Sequence, residues 1–336
     1  MKFRCSTSLL AILLMLTLSA KAQKVWTSTN SGSWNDTNNW SGHIVPDITS
    51  FVEIFTNNGV TVTIDALTPA ANLTIQSLKI GAPPGATNTV VLSSVGTNNP
   101  VVLQTGLQLM DGAALLITNS GVLLQLTNDH VDIDGSFVLD SGWIDFGDTT
   151  VTSRVGRVTS GTFTINSGLV SAGAMTVGGL ANSSGVLNLN GGTLNVATLF
   201  SVGRNPGTTG SVFVTGGQLS AVGEIQRVGD EDFGQMTVSN ATVLLTNLNV
   251  GRDPLSVGVL TLQNGGYVAI SNELAIGRFG GSTGTVVIAG GTVSGSGMKV
   301  HVGQEGSGQL TVSSGSLLAE DVLIAGDNTN GADEWP

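Results

Sequence analysis

From Gly135 onward a glycine recurs about every 25 residues, and each one opens the same short pattern. The positions are Gly135, Gly161, Gly185, Gly210, Gly234, Gly258, Gly284 and Gly308. The second and fourth residues after each are apolar, from Phe137/Leu139 through Leu187/Leu189 to Leu310/Val312. Alternation of this kind has the period of a strand and not of a helix. A fixed period makes each unit the neighbour of a near-copy of itself, and units that cannot bury an apolar side alone do so by stacking.

Within each unit, two further segments follow. A two-residue corner comes first, such as Gly191-Gly192, Gly216-Gly217 or Asn240-Ala241, where glycine and asparagine supply positive φ. A second alternating stretch comes next, for example Thr193-Leu194-Asn195-Val196. A third ends in Val-Gly or Ile-Gly, as at Val177-Gly178, Val202-Gly203 and Ile276-Gly277. Three short strands per ~25 residues describe one coil of an all-β, parallel β-solenoid (β-helix). Its hand is expected to be right-handed, from the general chirality of parallel connections. A β-sandwich also has short strands, but nothing in it requires one glycine-anchored unit to repeat. The opening glycines imply either positive φ or a close backbone approach.

The N-terminus reads differently. Lys2 and Arg4 precede an apolar run, Leu9 to Leu18, and Ala20-Lys21-Ala22 has the form of a cleavage site. Residues 1–22 are therefore expected to be a secretory signal peptide. Cys5, the only cysteine, lies within it, so disulfides and thiolate chemistry are excluded from residues 23–336. Removing Lys2, Arg4 and Lys21 from the 12 basic residues leaves 9 against 23 acidic ones, a net charge of −14. No basic cluster appears, which argues against a nucleic-acid partner. No second apolar run is long enough to span a membrane.

Residues 23–84 hold Trp26, Trp34 and Trp40, three of the five tryptophans. They are expected to form an N-terminal β cap that closes the end of the stack. A displayed aromatic platform for sugars is the alternative. Residues 85–134 read as irregular early coils, 135–330 as the regular β-solenoid, and 331–336 as a C-terminal tail.

The opening W-x7-W-x5-W, with Pro46-Asp47 and Val52-Glu53-Ile54, resembles the start of bacterial autotransporter-associated β-strand repeat proteins. The units at 202–219 (VGRNPGTTGSVFVTGGQL) and 276–293 (IGRFGGSTGTVVIAGGTV) resemble repeats of the same group. The resemblance implies a secreted or surface-displayed solenoid. It departs at the end of the chain, where neither a barrel nor a sorting tail is seen.

Candidate chemistry is sparse. The densest acidic stretch, 130–148, carries Asp132, Asp134 and Asp145, with Trp143 beside them and Arg154 and Arg157 just beyond. Alternation turns Asp132, Asp134, Trp143 and Asp145 outward, and Ile133, Ile144 and Phe146 inward. Carboxylates with an arginine near an exposed tryptophan suit a polysaccharide lyase or hydrolase, so Asp132, Asp134, Asp145 and Arg157 are the catalytic candidates. The plainer reading is that these aspartates keep an exposed strand soluble. Asp230 and Asp232 are the calcium candidates, although they lack the spacing of a dedicated loop. Arg204, Asp230 and Arg252 share one loop position and are expected to pair across coils.

No cofactor is expected. The reading is a structural or adhesive protein, secreted, extracellular, periplasmic or at the cell surface, without catalysis. Its partners would be surface polysaccharide or other cell-surface proteins. The alternative is a carbohydrate-active or carbohydrate-binding protein of the pectate-lyase-like β-helix type.

Overall fold

The computed structural model describes residues 22–56, 58–94, 99–127, 130–147, 152–223 and 225–324. The leader read at 1–22 falls outside these apart from Ala22, and so does the tail at 331–336.

The chain is a parallel β-solenoid, and its faces are stacks of strands contributed by successive coils. One coil shows the rule. Strand Ser184–Leu189 lies on the first face, and Gly191-Gly192 turn the corner. Strand Thr193–Val196 forms the second face and Phe200–Val202 the third. The first face is a sheet of 12 strands, running from Gly32–Ser33 to Ser307–Val312. The second and third faces merge into a sheet of 20 strands.

Register follows the repeat. Gly185 stands over Gly161 and under Gly210, and Leu187 lies between Phe163 and Val212. Within these strands each residue therefore meets its own equivalent one coil away. The inward side chains of this coil, Leu187, Leu189, Leu194, Val196, Phe200 and Val202, are all at 0–1% exposure. The core is a continuous apolar column, in which Phe137 and Phe163 stack with ring centroids 5.0 Å apart. Burial of this kind stabilises at roughly 25 cal/mol per Å² of apolar surface, and it replaces the disulfides that the sequence lacks.

The opening glycines resolve toward close approach. None of the eight has positive φ. At Gly185, a Cβ would fall below 3.0 Å from both the Val155 carbonyl oxygen and the Gly178 amide nitrogen. Those two atoms are joined by a hydrogen bond of 2.9 Å that ties one coil to the next. The returning chain thus crosses directly over an inter-coil hydrogen bond. The left-handed conformation is found instead at the Val-Gly glycines, with φ of +78° at Gly178 and +68° at Gly203. There the chain leaves the third face to begin a loop.

The N-terminal segment joins the same sheets. Strand Ser50–Ile54 pairs with Thr74–Ile80, which pairs with Val101–Leu109 across a bulge. Trp26, Trp34 and Trp40 are at 1–2% exposure and pack edge to face, with centroids 5.0 and 4.8 Å apart. The Trp40 indole N–H donates to the Trp34 carbonyl at 2.7 Å. The tryptophans are packing residues, and the displayed aromatic platform is not formed.

Candidate functional site

The third face holds most of the charge chemistry. The six arginines among the described residues lie either on its strands (Arg154, Arg227) or in the loops after its Val-Gly corners (Arg157, Arg204, Arg252, Arg278). Those loops stack as the strands do. Arg252 N–H donates to Gly229 O at 2.9 Å and Arg278 N–H to Gly251 O at 2.9 Å. The loops fold back and roof the face. Side chains that alternation turns away from the core are therefore buried a second time: Thr176 is 1%, Ser201 0% and Asn249 1% exposed.

This roof corrects the reading of Asp132 and Asp134. Both leave the strand on its outward side, but both are buried, at 3% and 9% exposure. Asp132 receives Arg157 Nη1 at 2.8 Å and Arg154 Nη1 at 3.3 Å, and His130 Nε2 lies 3.3 Å from it. Asp134 Oδ1 accepts the backbone N–H groups of Val158 at 2.8 Å and Thr159 at 3.1 Å. They tie the loop of one coil to the strand of the previous one. Asp145 is not with them. Its strand, Trp143–Asp145, belongs to the second face, where its carboxylate accepts the Gly147 N–H at 3.0 Å. The four catalytic candidates therefore do not converge: Asp132 and Arg157 pair, Asp134 binds backbone, and Asp145 lies on another face. Trp143 is displayed as expected, at 44% exposure.

The calcium candidates resolve the same way. Asp230, 1% exposed, is held by Arg227 at 3.0 Å, Arg252 at 3.2 Å and the Ser201 hydroxyl at 2.8 Å. Its oxygens are engaged by cations and a hydroxyl. Asp232 accepts its neighbour's amide, Phe233 N–H, at 2.7 Å, and also the Gly207 N–H. Among the described residues, no group of three or more His, Cys, Asp or Glu side chains could hold a metal ion. The expected pairing across coils occurs between Asp230 and Arg252, while Arg204 makes no ion pair with Asp230 among the described residues. Arg227, the third member, was open to detection: alternation in Gln226-Arg227-Val228 already turns it outward. Beyond it, Arg252 and Arg278 both lie 5.6 Å from the Phe279 ring centroid, the range of cation–π attraction.

Glu231 sits at the edge of this network. Burial first, and then the nearby charges of Asp230 and Asp253, push its carboxyl above the ordinary range. The folded state therefore disfavours its ionised form. That penalty is fully present above the raised value and vanishes as pH falls below the ordinary glutamate value of about 4.3. Glu231→Gln should give a small rise in Tm at pH 7 and none at about pH 3. Thermal melts at the two pH values check this, and an equal shift at both would contradict it.

Ahead of the roofed stretch, the third face opens into a groove of about 210 Å³ lined by Phe51, Lys79, Gln108 and His130 among others. The fold and its charged, roofed face define the chain as a β-solenoid. No family model, no curated protein and no solved structure matches it.

Proposed function

We propose that this chain is a secreted or cell-surface β-solenoid with a structural or adhesive role and no catalysis. The observation that carries this reading is the engagement of Asp132 and Asp134 beneath the roof. A general acid or base must reach the proton it moves, within hydrogen-bond distance of a bound substrate. Most glycoside hydrolysis uses two carboxyl groups facing one bond, and a lyase needs a base that reaches the sugar. Here the densest carboxylates are covered, held by partners from the next loop, and separated from Asp145 by a corner of the coil. The basic-then-apolar N-terminus and the resemblance to autotransporter-associated repeats support the extracellular setting.

The test combines turnover and stability. The purified protein should release no product from polygalacturonate or from neutral polysaccharides, with or without calcium. Asp132→Ala should destabilise it by about 1.5–3 kcal/mol, the scale of charged hydrogen bonds lost from a buried site. Turnover that Asp132→Asn with Asp145→Asn abolishes would overturn the reading.

A further inference from the structure

We infer that the second face is a binding surface for a linear, uncharged polysaccharide lying along the solenoid axis. This deepens the adhesive reading above, and rests on it, by naming the ligand and its place. The register aligns Asp145, Ser171, Asn195 and Ser220 in one outward column, one residue per coil over four coils. A groove of about 340 Å³, lined from Gly147 to Val222, runs over Ser171, Asn195 and Ser220 of this column. A second, of about 430 Å³, meets it at Ala197 and carries it round the corner toward Arg227.

Three observations point to the ligand. The first is hydrogen-bonding capacity left free. Elsewhere, polar columns tie coil to coil: Asn166 Nδ2 donates to Asp140 at 2.7 Å, and Asn190 Nδ2 to Asn166 at 2.9 Å. The side chains of Ser171, Asn195 and Ser220 have no such partner among the described residues, and Asn195 is exposed. An unbonded amide between two unbonded hydroxyls offers donors and acceptors outward. The second is spacing. Coils repeat at the ~4.8 Å interstrand distance, close to the advance per sugar of an extended 1,4-linked pyranose chain. A polymer aligned with the axis would thus present one sugar to each coil. The third is an aromatic ring at the end of the column. Trp143, 44% exposed, stands two residues before Asp145 on the same face. A displayed indole offers a flat apolar surface to the C–H face of a sugar.

Charge selects a neutral polymer. Asp145, at one end of the column, is the one charge in it and accepts the Gly147 N–H. From Leu169–Ala172 to Gln218–Ala221, the strands of this face carry no charged residue, while the arginines are gathered on the third face. An acidic polymer would find its counter-charge there instead.

Calorimetric titration of the protein with β-1,4-linked glucose and mannose oligomers of two to six sugars tests the inference. Affinity should rise with length to four sugars and then level off, because four coils supply the column. Trp143→Ala and Asn195→Ala should each weaken binding about tenfold, and Asn195→Ala should do so without lowering Tm, since its side chain is exposed. Asn188→Ala, on the first face, should leave affinity unchanged. Absence of binding to every neutral oligomer, affinity independent of length, or full affinity in Asn195→Ala would overturn the inference. Binding confined to polygalacturonate oligomers would overturn it as well and leave the adhesive reading standing. So would attachment to cells that survives both substitutions.

Discussion

Gly185→Ala should destabilise the protein by more than about 4 kcal/mol, beyond what ordinary substitutions cause. The added methyl would fall below 3.0 Å from the Val155 carbonyl oxygen and the Gly178 amide nitrogen. Neither is a flexible side chain. They are backbone atoms hydrogen-bonded to each other across coils at 2.9 Å, so either the strand or that bond must give way. Gly210 meets the equivalent pair, Val177 O and Gly203 N, and should respond alike. Thr209→Val is the control, because Thr209 is exposed and adjacent in sequence to the same crossing. Chemical denaturation of the three variants measures the difference, and equal midpoints would remove the close-approach account.

Leu187→Asp should be comparably damaging, and Asn188→Asp nearly silent. Leu187 is at 0% exposure between Phe163 and Val212 of the adjoining coils. A carboxylate there has no partner and costs several kcal/mol, either as a buried charge or through the neutralisation that avoids one. Asn188 points the other way, is only half-buried, and bonds the Thr164 hydroxyl at 3.3 Å, to which an aspartate would serve as acceptor. Limited proteolysis separates the two. Equal resistance would mean that the strand is turned the wrong way out.

These positions also mark what the residues alone could disclose. Alternation in Gly-x-Leu-x-Leu told which side chains enter the core, because only one register buries the apolar set. The recurring glycine told that neighbours are near-copies, and hence that the chain stacks. Yet alternation says on which side a residue leaves its strand, not what lies over that side. Asp132 leaves outward as expected, but Arg157, 25 residues later, closes over it. Nothing local in the sequence announces that a loop returns across a face. The glycines show a related gap. Recurrence signalled a constraint at Gly185 but not its kind, since positive φ and close approach select glycine equally. The positive φ proved to be at Gly178, seven residues earlier. Aromatic residues close together near a glycine-rich start are more readily packed than displayed, and Trp26, Trp34 and Trp40 are buried against one another.

The stacking register is the claim on which everything else stands, and cysteine pairs measure it. With Cys5 replaced by serine, the chain has no thiol of its own. Thr164→Cys with Asn188→Cys places two thiols on adjoining coils, directly opposite each other in the register. Strands ~4.8 Å apart fall within the 4.4–6.8 Å Cα separation that a disulfide accepts. That pair should oxidise completely while the protein stays folded. Thr164→Cys with Phe213→Cys spans two coils, about twice the distance, and should remain reduced. Bridging of the second pair, or failure of the first under the same oxidant, would contradict a coil-on-coil solenoid in this register.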